Sequence, residues 1–151
     1  MTQRILQDWF NRRTGRWTSS RRYLFDLGKK DSLKPVNLTT EFTFGACTEP
    51  DDQWDYEVIW TGQTEGTMRL KLLGNELHRS VGYFTSEPTV SLVSMIDADT
   101  LLTSTSYDGQ RFREEIRFLH EDKLCLRQTV GFNQETHEPT LVGQYSESRI
   151  Y

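Results

Sequence analysis

Apolar residues change their spacing once along this chain. At the N-terminus Ile5, Leu6, Trp9 and Phe10 recur at i, i+3, i+4, the signature of one buried stripe on an α-helix. Thr2 can cap its start and Gly15 can close its end, so the segment predicts a short amphipathic lid or plug. Beyond Gly15 the period drops to two and stays there. The alternation predicts strands near residues 16–25, 36–45, 54–61, 66–73, 76–84, 90–97, 100–106, 110–119, 123–131 and 140–150. Turn residues separate them, among them Gly28-Lys29-Lys30-Asp31, Gly74-Asn75, Asp97-Ala98-Asp99 and Asp108-Gly109. GQTEG at 62–66 reads as a hairpin loop, and Pro50, Pro88 and Pro139 fall in the links.

Consecutive strands joined by short links describe a meander, and a meander of this length leaves two exposed edges unless it closes. The predicted fold is all-β: a ten-stranded antiparallel up-and-down barrel, lipocalin-like, with one N-terminal α-helix, forming a single domain over residues 1–151. The inward phases of such a barrel are unusual here. They run Trp17, Ser19, Arg21, Tyr23, Phe25 in the first strand; Trp54, Tyr56, Val58, Trp60 in the third; Phe112, Glu114, Ile116, Phe118 in the eighth; and Leu141, Gly143, Tyr145, Glu147, Arg149, Tyr151 in the last. The interior they imply is aromatic and charged at once.

Some of these charges have a plain structural reading, since Glu147 and Arg149 can pair at a strand rim and Arg21 can extend to a barrel mouth. Glu114 is harder to place that way. An ionised carboxylate in an apolar interior costs several kcal/mol unless it is paired and hydrogen-bonded. It calls for an arginine partner, a raised pKa or a ligand proton. Arg127, on the following strand, is the nearest candidate partner, and an ion pair without function is one reading of the two.

Composition removes other classes. Eighteen basic and 22 acidic residues, interspersed, give a formal charge of −4, so there is no broad basic field for nucleic acid. The two cysteines, Cys47 and Cys125, form no CxxC pair, no apolar run approaches the length that spans a bilayer, and MTQRILQDWF lacks the apolar core of a signal peptide. These features predict a soluble cytoplasmic protein without membrane contact. His78, His120 and His137 lack metal-ligand spacing, so no metal site is expected, and no nucleotide loop or nucleophile elbow occurs. Cys125, between two leucines on a strand, reads as a small buried residue. Arginines set among Trp and Tyr, with one carboxylate in the same interior, suit a long, flat, conjugated ligand bearing carboxylates. Linear tetrapyrroles fit that description; a fatty acid would need the arginines without the aromatics.

In order along the chain stand GRWTSSR (15–21), the Trp60 strand, RSVGY (79–83), TSTSYDG (103–109), REEIRF with KLCLR (113–118 and 123–127) and YSESRI (145–150). In the order and spacing of these pieces the sequence resembles the S-type phycobiliprotein lyases, lipocalin-like chaperones that attach bilins to phycobiliprotein cysteines. The resemblance implies a ten-stranded barrel that binds phycocyanobilin or phycoerythrobilin and joins it through a thioether bond to a cysteine of a phycobiliprotein α or β subunit. It implies a bilin as substrate with no permanently bound cofactor, a bilin reductase as donor, and a homodimer or a heterodimer with a related lyase subunit. Carried over by position, it makes Glu114 catalytic and assigns ligand binding to Trp17, Arg21, Trp60, Arg127, Ser146 and Arg149, with Arg21 and Arg149 holding propionates. Arg117 stands where the family has an aromatic residue, and the loops before Trp54 and after Leu73 are short, which separates competence in transfer from competence in binding. Two rivals follow: a non-catalytic carrier of a bilin or another anionic hydrophobic ligand, and a partner subunit of an active lyase.

Overall fold

The computed structural model describes residues 2–25, 35–48, 53–82 and 85–151. They form helix α1 (Thr2–Arg13) and strands β1 (Gly15–Phe25), β2 (Val36–Ala46), β3 (Tyr56–Gly62), β4 (Gly66–Leu73), β5 (Glu76–Arg79), β6 (Thr89–Asp97), β7 (Thr100–Tyr107), β8 (Gln110–Leu119), β9 (Leu124–Asn133) and β10 (Pro139–Ile150). Each strand pairs antiparallel with its neighbours in sequence, and β1 pairs with β10, so the barrel is closed. This is the predicted all-β, up-and-down architecture. Closure leaves no strand edge for another chain to extend.

Helix α1 blocks one end. Its apolar stripe turns Leu6, Trp9 and Phe10 into the barrel, all nearly without solvent exposure, and burial of each contributes roughly 1.5–3 kcal/mol. Phe10 stacks on Tyr56 and Phe44, and Trp9 lies against Phe118 while its indole N–H donates to the Asp99 carbonyl at 3.0 Å. A second, smaller cluster of Tyr23, Leu141 and Tyr145, with Leu38 and Phe112, lies toward the other end. Between the two clusters the interior is not filled.

The strand bounds follow the sequence reading to within two residues except at the end of β5. β5 ends at Arg79, not at residue 84, because the chain turns there: Ser80 N–H and Oγ both bond back to Arg69, and Gly82 N–H donates to the Thr85 and Glu87 carbonyls. β3 starts at Tyr56, since Asp55 turns its carboxylate to the Leu72 N–H. The turn read at residues 28–31, the loop at Pro50 and the Tyr83 end of RSVGY lie outside the described residues.

Candidate functional site

The unfilled interior is a cavity of about 280 Å³. Its floor is α1, through Trp9, Phe10 and Arg13, and its far end is bordered by Phe25, Val36, Trp60, Thr64 and Gly82. Trp60 reaches this position because the residue opposite it across the β3–β4 pair is Gly66, where any Cβ would collide with the indole.

The polar part of the lining is charged. Among the described residues four guanidiniums line the cavity, those of Arg13, Arg21, Arg79 and Arg127. Against them stand two inward carboxylates, Glu114 on the cavity wall and Glu147, fully buried beside Arg13 and Arg127. Four positive charges against two negative leave this interior with an excess of two positive charges. In a region of low dielectric that excess favours an anionic ligand.

The two carboxylates are not equivalent. Each oxygen of Glu147 is claimed, Oε1 by Arg13 and Oε2 by Arg127 at 3.2 Å. Burial opposes its ionisation, but Arg13 and Arg127 prevail and hold its pKa down at about 2. Glu147 is an internal counter-ion, and it pairs inside the barrel with Arg13 of α1 and Arg127 of the neighbouring strand β9, not with Arg149 at the rim. Glu114 receives Arg127 Nη2 at 3.0 Å and the Thr129 hydroxyl at 2.8 Å, and both bonds arrive at Oε2. Its Oε1 accepts no hydrogen bond from any described residue. Burial pushes the Glu114 pKa up, yet the attraction of Arg127 and Arg79, with these two bonds, leaves it below the ordinary carboxylate value. Glu114 is therefore an ionised acceptor with one oxygen open on the wall of a cationic cavity. The pairing with Arg127 read from the sequence is present, and it occupies half of the carboxylate.

Of the residues assigned to the site from sequence, Arg21, Trp60, Glu114 and Arg127 meet on this cavity. Arg21 is half-buried, donates to Ser19 Oγ at 3.0 Å and lies 5.3 Å from the Tyr145 ring centroid. Trp17 is elsewhere: fully buried near the helix end, it stacks on Phe42 and has the guanidiniums of Arg149 and Arg13 at 4.2 and 4.7 Å from its ring. Arg149 is held away from the cavity, each of its three guanidinium nitrogens donating to a carbonyl, of Asp122 (3.0 Å), Thr14 (2.7 Å) and Arg12 (2.7 Å). Ser146 points outward, because strand alternation that turns Tyr145 and Glu147 inward leaves the residue between them on the outer face.

Two cavity arginines were not singled out from sequence, and both carried a signal. Arg13 continues the helical stripe of Leu6, Trp9 and Phe10, and Arg79 is in phase with Leu77, the buried residue of β5. Cys125 is fully buried, and burial pushes its thiol up to about 11, so it is protonated at neutral pH and unsuited to nucleophilic attack.

The model of the CpeS-like protein family matches residues 54–150, well over half of the sequence. This chain belongs to the CpeS-like family. Relatives of this chain include a Nostoc protein assigned by name as phycocyanobilin lyase CpcS 2, 28% identical over 95% of this chain and 89% of its own. Another, from Picosynechococcus, carries the name chromophore lyase CpcV and is 27% identical over 93% of this chain and 79% of its own. Among solved structures, the S-type phycobiliprotein lyase CPES from Guillardia theta superposes with a TM-score of 0.76 at 17% identity, covering 100% of this chain and 94% of that one. A Nostoc punctiforme protein of the DUF3598 family, of unknown function, gives 0.65 at 15% identity over 93% of this chain and 49% of its own. At these identities the two structures speak to the fold, and the fold they share with this chain is the barrel.

Proposed function

We propose that this chain is a bilin lyase: it binds a linear tetrapyrrole such as phycocyanobilin inside the barrel and presents it to a cysteine of a phycobiliprotein subunit. The observation that carries the reading is the open Oε1 of an ionised Glu114 on a cavity holding two excess positive charges. A bilin supplies both complements, two propionates for the arginines and pyrrole N–H groups for the carboxylate. The lyase names of the two relatives point the same way.

In the reaction the acceptor's cysteine sulfur bonds to the ethylidene carbon of bilin ring A, and the conjugated system takes up a proton, so the thiol adds across a double bond without a leaving group. The nucleophile comes from the acceptor, which agrees with the buried, protonated Cys125 of this chain. Glu114 is ionised before the ligand arrives and acts as acceptor and counter-ion: its negative charge favours the protonated tetrapyrrole, which makes ring A more electrophilic. Trp60 offers a ring for stacking and Arg21 a cation for a propionate.

The test is Glu114→Gln, assayed for bilin binding by absorbance and for transfer to an apo phycobiliprotein subunit. The amide keeps the size and the bonds from Arg127 and Thr129 but cannot carry charge. Affinity should fall less than about tenfold and transfer by about a hundredfold or more, with a blue-shifted bound spectrum. Unchanged transfer and spectrum would reduce Glu114 to an ion-pair partner, and equal binding of oleate and bilin would favour the carrier reading.

A further inference from the structure

Next to the main cavity is a smaller chamber of about 30 Å³, set between β5, β6, β7, β8 and β9 and sharing Arg79, Gly82, Thr103 and Glu114 with it. Its other walls are rich in hydroxyls, from Thr89, Thr105 and Thr129. The β5–β6 register sets Arg79 directly across from Thr89, so their Cβ atoms are neighbours on the inner face. Arg79 is buried and donates to Ser91 Oγ, whose hydroxyl in turn shares a hydrogen bond with Thr105. Thr89 is 94% buried, at 6% exposure, and its hydroxyl has no hydrogen-bond partner among the described residues.

That last feature separates a built site from a packed wall. A buried hydroxyl left without a partner is destabilising, and valine would give the same shape without the cost. If Arg79 served only to balance Glu114, nothing would be gained by a donor placed opposite it. A guanidinium facing an unsatisfied hydroxyl donor in a space too small for a pyrrole ring suits one small anionic head group.

We propose that this chamber holds one carboxylate of the bilin, with Arg79 as its cation and the Thr89 hydroxyl as a second donor. The proposal rests on the bilin reading above and adds an anion subsite to it. Arg21, on β1, and Arg79, on β5, stand on nearly opposite walls of the ring. Two carboxylates held at separated points fix the tetrapyrrole's rotation in the barrel, and with it which face of ring A meets the acceptor.

The experiment compares phycocyanobilin with its dimethyl ester, titrated by absorbance onto the wild-type chain, Arg79→Gln and Thr89→Val. The wild type should bind the diacid at least about tenfold more tightly than the ester. Arg79→Gln should weaken the diacid about ten- to a hundredfold while leaving the ester nearly unchanged, shrinking that preference. Thr89→Val should shrink it about two- to fivefold with a melting temperature equal to or above wild type, a combination that a purely structural hydroxyl would not give. If Arg79→Gln does not fold, the Thr89→Val ratio decides alone. A preference unchanged in the folded variants, or equal binding of diacid and ester by the wild type, overturns the subsite and leaves the bilin reading standing. Failure of the wild type to bind either compound overturns both.

Discussion

Glu114 and Glu147 are both buried among arginines, and what differs is how many of their oxygens the protein itself uses. Glu147 has none to spare, so its role is to hold Arg13 and Arg127 together. Glu147→Gln should leave one buried guanidinium without its counter-charge and destabilise the fold by about 3–5 kcal/mol, measurable by denaturant unfolding, with bilin affinity in the surviving folded fraction close to wild type. Glu114→Gln should cost less stability, since Arg127 keeps Glu147. At this scale the sequence was partly legible. Alternation brought Glu114 inward, because a period of two fixes which face a residue takes, and the tight link to the following strand named Arg127 as its neighbour. It could not say that both bonds fall on one oxygen, since that depends on rotamers. Ser146 shows the converse: its assignment came from the resemblance and ran against the strand phase, and the phase is what the structure follows.

At the scale of elements, α1 is fastened to the barrel by more than its apolar stripe. Arg12 reaches Asp122 and Asp99, and Arg149 bonds the carbonyls of Arg12 and Thr14 at the helix end and that of Asp122 on the β8–β9 turn. That turn carries three successive non-glycine residues with positive φ, His120, Glu121 and Asp122, a conformation L-residues adopt at a cost, and the two arginines hold it. Gly15 permits the exit from the helix: its φ is 142° and a Cβ there would strike Arg149. Arg149→Ala should therefore lower the melting temperature, by roughly 4–12 °C for a loss of about 2–3 kcal/mol, while bilin affinity changes less than threefold. Affinity lost in step with Arg21→Ala and stability retained would return Arg149 to the ligand. Helix and strands were readable because their periods are local. The fastening was not, because Arg149 and Arg12 lie at opposite ends of the chain and only barrel closure brings them together.

For the whole molecule, the buried charges set a pH window. Glu147 has a folded pKa of about 2 against an ordinary carboxylate value of 4.5, and Glu114 is also lowered. Groups lowered on folding stabilise above the unfolded value and lose that contribution as pH falls through the folded one. For Glu147 the shift corresponds to about 3 kcal/mol. The melting temperature should be nearly flat from pH 7 to pH 5 and fall steeply below about 4.5, and Glu147→Gln should flatten that acid limb. The same interior, with two positive charges in excess, should be relieved by a dianion. Barrel closure was legible from the count of strands and the problem of open edges; the charge excess was not, since it required Arg13 and Arg79 to be placed beside residues far away in sequence. The most direct measurement is the absorbance of phycocyanobilin titrated with the wild-type protein near pH 7. The account predicts saturation at one bilin per chain, with the long-wavelength band sharpened and shifted to the red, as expected for a tetrapyrrole whose protonated form is held against Glu114. A spectrum indistinguishable from free bilin at saturating protein would contradict it.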